Sequence, residues 1–205
     1  MTFPIPLASK MSGASINQLR YWHREGILVP EIEHIARPYL YSYRDIVALR
    51  TVAWLRSDHS LQQIRKSLDL VRDLDTAAHP SEFKIMKLGK TIGFVRSTDG
   101  AMIDVAKEPG QEVLGTLENV FGAFVTRRKK KVDPLLHPRP GVEVNPDRLG
   151  GWPTISGTRI PFDTIARLVE DGSVDPEDAE RYYPGVSADA AQDALDYYQS
   201  VAGAA

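Results

Sequence analysis

The sequence predicts an α+β fold that is mainly helical, and three observations predict it. Leu61, Ile64, Leu68, Val71 and Leu74 recur at spacings of 3, 4, 3 and 3, the period of an amphipathic helix. Two alternating runs, Phe83-Lys84-Ile85-Met86-Lys87-Leu88 and Thr91-Ile92-Gly93-Phe94-Val95-Arg96, are joined by Gly89-Lys90 and predict paired strands. Towards the C-terminus, Asp175-Pro176-Glu177 and Ser187 are helix starts: a cap, proline at the first position, then an acid favoured by the dipole.

The elements follow in order. Residues 6–11 form a short, partly apolar stretch carrying Leu7, Ala8 and Met11. Gly13 permits a sharp turn, and Ser15 caps a helix over 16–24 with Ile16 and Leu19 inward. Gly26 ends that helix and Pro30 prevents its restart. Residues 31–42 read as irregular or extended. A helix follows over 43–56, with Ile46, Leu49 and Ala53 on one face, and another begins after Ser60 and stops at His79-Pro80. Beyond the paired strands, Thr98-Asp99-Gly100 is a turn and 101–106 a third strand, which makes a small antiparallel meander. Residues 111–124 read as a helix with Val113, Leu114, Leu117, Val120, Phe121 and Phe124 as its apolar set. Four prolines at 134, 138, 140 and 146 predict a linker or extended lead-in. Val142-Glu143-Val144 is a short strand, 149–160 a glycine-punctuated hairpin, and three short helices close the chain.

Composition narrows the function. There are no cysteines among 205 residues, so disulfides, thiolate zinc sites, iron–sulfur clusters and a cysteine nucleophile are all excluded. No apolar run approaches the roughly 20 residues of a membrane span, and the first residues lack a signal peptide's pattern. The expectation is a cytoplasmic protein. His23, His34, His59, His79 and His137 do not fall in metal-ligand spacing, and no phosphate loop, dinucleotide fingerprint or nucleophile elbow is present. The expectation is a binding protein with no catalytic residues, metal or cofactor, rather than an enzyme. The net charge of −2 hides an asymmetry. Residues 1–74 carry +3, 75–136 carry +2, and 137–205 carry −7. A basic front can approach nucleic acid, and an acidic rear is repelled by it.

The front run Ser15-Ile16-Asn17-Gln18-Leu19-Arg20-Tyr21-Trp22-His23-Arg24-Glu25-Gly26-Ile27-Leu28-Val29-Pro30 resembles the signature of the MerR-like DNA-binding domain. Leu40-Tyr41, Arg44-Asp45-Ile46, Leu49 and Ser60-Leu61-Gln62-Gln63-Ile64 resemble its later stretch, so the likeness spans 6–74. Trp22 stands where the family has a second tyrosine, and the wing lacks the usual Gly-Tyr-Arg. The resemblance implies a winged helix-turn-helix. Its DNA-binding residues would be Ser15, Asn17, Gln18, Arg20, Tyr21, Arg24 and Arg44. Asn17 and Gln18 are of the types that pair with adenine, Arg20 and Arg24 suit phosphate or guanine, and Tyr21 and Arg44 suit phosphate. A single recognition helix reads few base pairs, so a homodimer on operator DNA is expected.

The rear run Gly151-Trp152-Pro153-Thr154-Ile155-Ser156-Gly157-Thr158-Arg159-Ile160, with Asn145-Pro146 and Tyr183-Pro184-Gly185-Val186-Ser187, looks like a small bacterial domain of unknown function. Its core pattern is Gly-x-Pro-x-Ile-x-Gly-Thr-Arg-Ile. Proteins carrying it are commonly predicted antitoxins encoded beside a PIN-domain ribonuclease. The two resemblances together imply a VapB-type antitoxin that neutralises such a toxin and represses its own operon. The alternative is a stand-alone MerR-like transcription regulator. The implied organisation is a DNA-binding domain over 1–78, a connecting or dimerisation region with the meander over 79–136, and an antitoxin-associated hairpin and three-helix module over 137–205. In the motif, Gly157 suits a tight turn, Thr158 a backbone bond, and Arg159 a clamp on a carboxylate or carbonyls within the fold. The basic run Arg127-Arg128-Lys129-Lys130-Lys131 has three readings: solvated linker, DNA phosphate contact, or contact with ribonuclease carboxylates. Arg127, Arg128, Lys129, Trp152, Tyr182 and Tyr183 are the candidate toxin-binding residues, aromatics being suited to interfaces.

Overall fold

The structure, a computed structural model, describes residues 1–33, 35, 38–74, 81, 84–88, 91–95, 102–104, 113–115 and 117–203. Helices and small antiparallel sheets alternate along it. Strand β1 (Phe3–Pro4) leads directly into α1 (Ile5–Ser12), which carries proline in its first turn and closes on Gly13 in the left-handed conformation. Helix α2 (Ile16–Arg24) follows after a three-residue turn. The chain then returns through β2 (Leu40–Tyr41), which pairs with β1, Phe3 opposite Tyr41. Helix α3 (Tyr43–Leu55) and helix α4 (Leu61–Leu74) complete this unit. Ser15, Ser42 and Ser60 each accept from the backbone N–H three residues on, and the side chains of Gln18, Asp45 and Gln63 return a bond to the cap.

The meander lies where it is expected, with one addition. Strands β3 (Lys84–Leu88), β4 (Thr91–Val95) and β5 (Met102–Asp104) pair antiparallel in sequence, and β6 (Val113–Gly115) adds to the free edge of β3. The helix expected over 111–124 is therefore corrected. Residues 113–115 form a strand, and the helix α5 (Leu117–Phe121) is short. The apolar spacing fits a helix, but β3 has an unpaired edge, and backbone bonds to that edge take 113–115. Phe124 leaves the helix altogether. It opens β7 (Phe124–Val125), which pairs with β8 (Lys131–Val132) in a tight hairpin. The stops and turns expected at His79-Pro80, Gly89-Lys90 and Thr98-Asp99-Gly100 lie outside the described residues.

In the rear, β9 (Val142–Glu143) pairs with β10 (Thr154–Ile155) across a 3-10 turn at Leu149–Gly151. The hairpin expected inside 149–160 is present only as a tight turn, closed by the Ile155 N–H donating to Ile160 O at 2.9 Å. Helix α6 (Phe162–Glu170) packs on α8 (Ala188–Ala202), and a 3-10 turn (Pro176–Asp178) running into α7 (Ala179–Tyr182) links them. Thr158 behaves as expected, its hydroxyl donating to Ile155 O and accepting from the Ile160 N–H. Arg159 does not: it is exposed and no bond from it is present among the described residues. The clamp belongs to Arg148, which pairs with Glu143 and donates to Thr158 O at 2.7 Å. Gly157 lifts its own N–H onto the same Glu143 carboxylate, at 3.0 Å.

One apolar cluster runs from Phe3 through α3 to Tyr197. The first helix packs on the last, α1 against α8. Phe3 meets Trp152 with ring centroids 5.6 Å apart, and Gly151 lies so close to the Tyr43 ring that no Cβ fits between them. The proline-rich stretch takes part in this core: Leu135, Val142 and Val144 are buried. Helix α3 sits at the centre, and every residue from Asp45 to Leu55 is buried, not one face alone.

That burial includes Arg50, 1% exposed. Its Nε donates to Val120 O, its Nη1 to Met11 O at 2.6 Å, and its Nη2 to Gly122 O at 2.7 Å and Asp133 O at 2.6 Å. The guanidinium also stacks over Phe124, 5.0 Å from the ring centre. Burial pushes its pKa down to about 10, opposed by Tyr197, Asp133 and Tyr43, so it remains charged at neutral pH. A second buried cation, Lys87, docks the meander onto the end of α3. Its Nζ donates to Ser57 Oγ at 2.7 Å and Asp58 Oδ2 at 2.5 Å, 4.1 Å above the Trp54 ring. Burial pushes the Asp58 carboxyl up, but the bonds from Lys87 and Ser57 more than offset this and hold it below its ordinary value.

Arg50→Met is expected to destabilise the fold by about 3 kcal/mol or more, because the buried carbonyls lose their donors at about 1–3 kcal/mol each. Arg50→Lys recovers only part of this, since an ammonium lacks the planar fork. Urea unfolding followed by tryptophan fluorescence checks both; a loss under about 1 kcal/mol for Arg50→Met would contradict the role assigned to Arg50.

Candidate nucleic-acid interface

Helix α2 divides cleanly into two faces. Ile16, Leu19 and Trp22 are buried against the core. Asn17, Arg20, Tyr21 and Arg24 fall three and four residues apart, so they share the opposite, solvent-facing side. These four line an open recess of about 520 Å³ together with His23 and Tyr39. His23 and Tyr39 meet edge to face, centroids 4.5 Å apart, which ties the end of α2 to the strand that follows. Arg24 lies over the Tyr21 ring, 5.2 Å from its centre, and pairs with Glu25 at 3.2 Å. Arg20 is exposed and forms no ion pair among the described residues. The face therefore offers an amide, a phenol and two guanidinium groups in one row. That is the mixture needed to reach phosphates and base edges from a helix in a major groove.

Ser15 and Gln18 stand differently. Ser15 Oγ accepts from the Gln18 N–H at 3.3 Å, and Gln18 Oε1 accepts from the Ser15 N–H at 2.9 Å. Both are committed to the cap of the helix. The bond to the Ser15 N–H turns the Gln18 amide back onto the cap, whereas Asn17 is exposed, so Asn17 is the better placed of the two amides. Arg44 lies at the start of α3 with its side chain half exposed, 3.6 Å from Glu31 Oε1. Glu31 also accepts from Ser42 Oγ, and the fully buried Asp45 accepts from the N–H groups of Glu31 and Ser42. These bonds fix the returning strand against α3 and set where Arg44 stands relative to α2.

The residues singled out for a partner protein occupy three settings. Arg127, Arg128 and Lys129 form the turn of the β7–β8 hairpin, beside the start of α2. Trp152 is half buried between Phe3 and Phe162, and its indole N–H donates to Asp163 Oδ1 at 3.0 Å. Tyr182 is 57% exposed at the end of α7, while Tyr183 packs against the core. Sequence reasoning missed Arg56 and Tyr39, which the fold brings beside α2. No local pattern marks them, because each arrives from another element. Among the described residues there is no group of three or more His, Cys, Asp or Glu able to hold a metal, and no helix is long and apolar enough to cross a membrane.

Residues 3–70 match the model of the MerR HTH family regulatory protein. This segment is a MerR-family helix-turn-helix domain. Residues 142–198 match a second model, a protein of unknown function (DUF433). A crystal structure of Rv2018 from Mycobacterium tuberculosis is similar, with a TM-score of 0.49 and 17% identity, over 95% of this chain and 96% of that one. No curated protein matches the chain. The MerR-family match points to DNA binding and regulation.

Within this domain, Gln18→Ala and Arg20→Ala should separate. Gln18→Ala should cost about 1 kcal/mol of stability through the lost capping bond. Arg20→Ala should leave stability within about 0.5 kcal/mol and flatten the salt dependence of DNA binding by about one unit. Thermal unfolding and anisotropy titrations on the same preparations check the pair; the reverse pattern would reassign both residues.

Proposed function

We propose that this protein is the antitoxin of a toxin–antitoxin pair, of the VapB type, which binds a PIN-domain ribonuclease and represses its own operon. The observation that carries the reading is the union of a MerR-family helix-turn-helix with a DUF433 domain, a toxin–antitoxin-associated family, in a single chain. The charge division supports it. The DNA-facing front is basic, while the rear third, at −7, suits a partner other than nucleic acid. The protein acts by binding, in the cytoplasm, with no catalytic group of its own. It works as a homodimer, since one helix spans too few base pairs to choose an operator.

Neutralisation by direct contact needs exposed groups without internal duties. In the rear, Arg159 is exposed with no bond among the described residues, and Tyr182 is exposed with only the neighbouring Arg181 over its ring, whereas Trp152 and Arg148 are engaged within the fold. Tyr182 and Arg159 therefore head the candidate toxin-binding residues.

Co-expression with the product of the neighbouring gene is the test. The expected result is a stable complex in which the partner's ribonuclease activity is silenced, and whose assembly Tyr182→Ala with Arg159→Ala weakens at least tenfold. A chain that binds specific DNA yet forms no complex is instead the stand-alone MerR-like regulator.

A further inference from the structure

The basic run at 127–131 is neither a linker nor a tail. It is the tip of the β7–β8 hairpin, in which Phe124 faces Val132 and Val125 faces Lys131. The turn is closed by the Thr126 N–H donating to Lys130 O at 2.9 Å and the Lys129 N–H donating to Thr126 O at 2.8 Å. Lys129 takes a positive φ of 62° to make it. Both ends of the hairpin are held by one side chain, because Arg50 Nη2 donates to Gly122 O on one side and Asp133 O on the other. Val132 seats the hairpin on Gly13, the turn between α1 and α2, where a Cβ would collide with it. The arginines are therefore delivered to a set place beside the recognition helix.

What they build there is a cleft of about 220 Å³ between the hairpin and the start of α2, lined by Ser15, Gln18, Arg56, Arg127, Arg128 and Lys130. Of the ten residues that line it four are cations, and among the described residues no carboxylate lines the cleft. Arg127, Arg128 and Lys130 form no ion pair among the described residues, while nearby Lys10 and Arg139 share Asp133. Burial and the Arg127 charge both lower the pKa of Arg56, so the two guanidinium groups repel across the cleft. The α2 terminus is closed by its own capping box, so the cations rather than the helix end supply the attraction. Like charges gathered on a clamped hairpin, without a counter-charge, are arranged for an anion that arrives from outside.

We infer that this cleft receives a backbone phosphate of the DNA, flanking the groove that α2 enters. The inference rests on the reading of α2 as the recognition helix. It assigns the hairpin, which lies beyond the MerR-family segment, to the DNA side of the molecule and gives Arg127 and Arg128 a phosphate to bind. Ser15 Oγ, an acceptor in the cap, keeps its hydroxyl hydrogen for the same oxygen.

The test uses the full chain and a duplex selected from a random pool, with affinity measured by anisotropy between about 50 and 200 mM salt. Arg127→Gln with Arg128→Gln should lower the slope of log K against log salt by about 0.9, the value for one lost phosphate contact. Arg127→Lys with Arg128→Lys keeps the charge and should keep most of the slope, which a purely structural role for the arginines would not. DNA binding with an unchanged slope in the glutamine variant would overturn the site and leave the α2 reading intact. A wild-type chain that selects no duplex would overturn the α2 reading and this site with it. Circular dichroism confirms that each variant is folded.

Discussion

The placement of everything near the DNA-facing side depends on the Arg50 guanidinium. A planar fork with five donors is the only side chain that could serve four carbonyls arriving from three directions. Its acceptors come from the end of α1, from α5, and from both flanks of the β7–β8 hairpin. Without it, helix α3 would have no polar contact to set the angle of the β7–β8 hairpin. A buried cation is costly, and carbonyl dipoles, the Phe124 face and the nearby Asp133 charge offset that cost. Orientation is gained more than stability, since a purely apolar contact would bind the hairpin without fixing its angle.

The front and rear of the chain are built as one packed body. At Gly151 the Tyr43 ring of the front occupies the space that a Cβ would need. The Lys10 ammonium bonds Asp133 at 3.0 Å and sits 5.8 Å from the Tyr197 ring, joining α1, the middle segment and α8 at one point. A partner that shifts α8 would therefore press on α1, and α1 supports the turn that leads into α2.

Much of this was legible from local chemistry. Ser15, Ser60, Asp175 and Ser187 start helices because a short oxygen side chain satisfies a free N–H, a rule that needs no tertiary knowledge. The buried stripe of α2 followed from its period. Helix α1 was not legible as a helix, because eight residues show too little periodicity, although Pro6 and Gly13 bracket it. The strand at 113–115 was hidden because its reason for existing is the edge of β3, some 25 residues earlier. Arg148 and Arg159 exchanged roles for a similar reason: which arginine meets Glu143 depends on how β9 and β10 register. Gln18 looked like a reader of bases because the capping box and base contact call for the same side chain.

The long reach of the Arg50 contacts also sets an order of events during synthesis. Its most distant acceptor, Asp133 O, lies 83 residues downstream. At ribosomal speeds of about 5–20 residues per second, Arg50 waits on the order of 4–17 s for that carbonyl to be made. Helix α8, which covers α1, is made later still. Helix α2 is thus made well before the segments that complete its support. A truncated or prematurely released product would expose the α1 surface and leave a guanidinium in an unfinished core, a state that chaperones and proteases recognise.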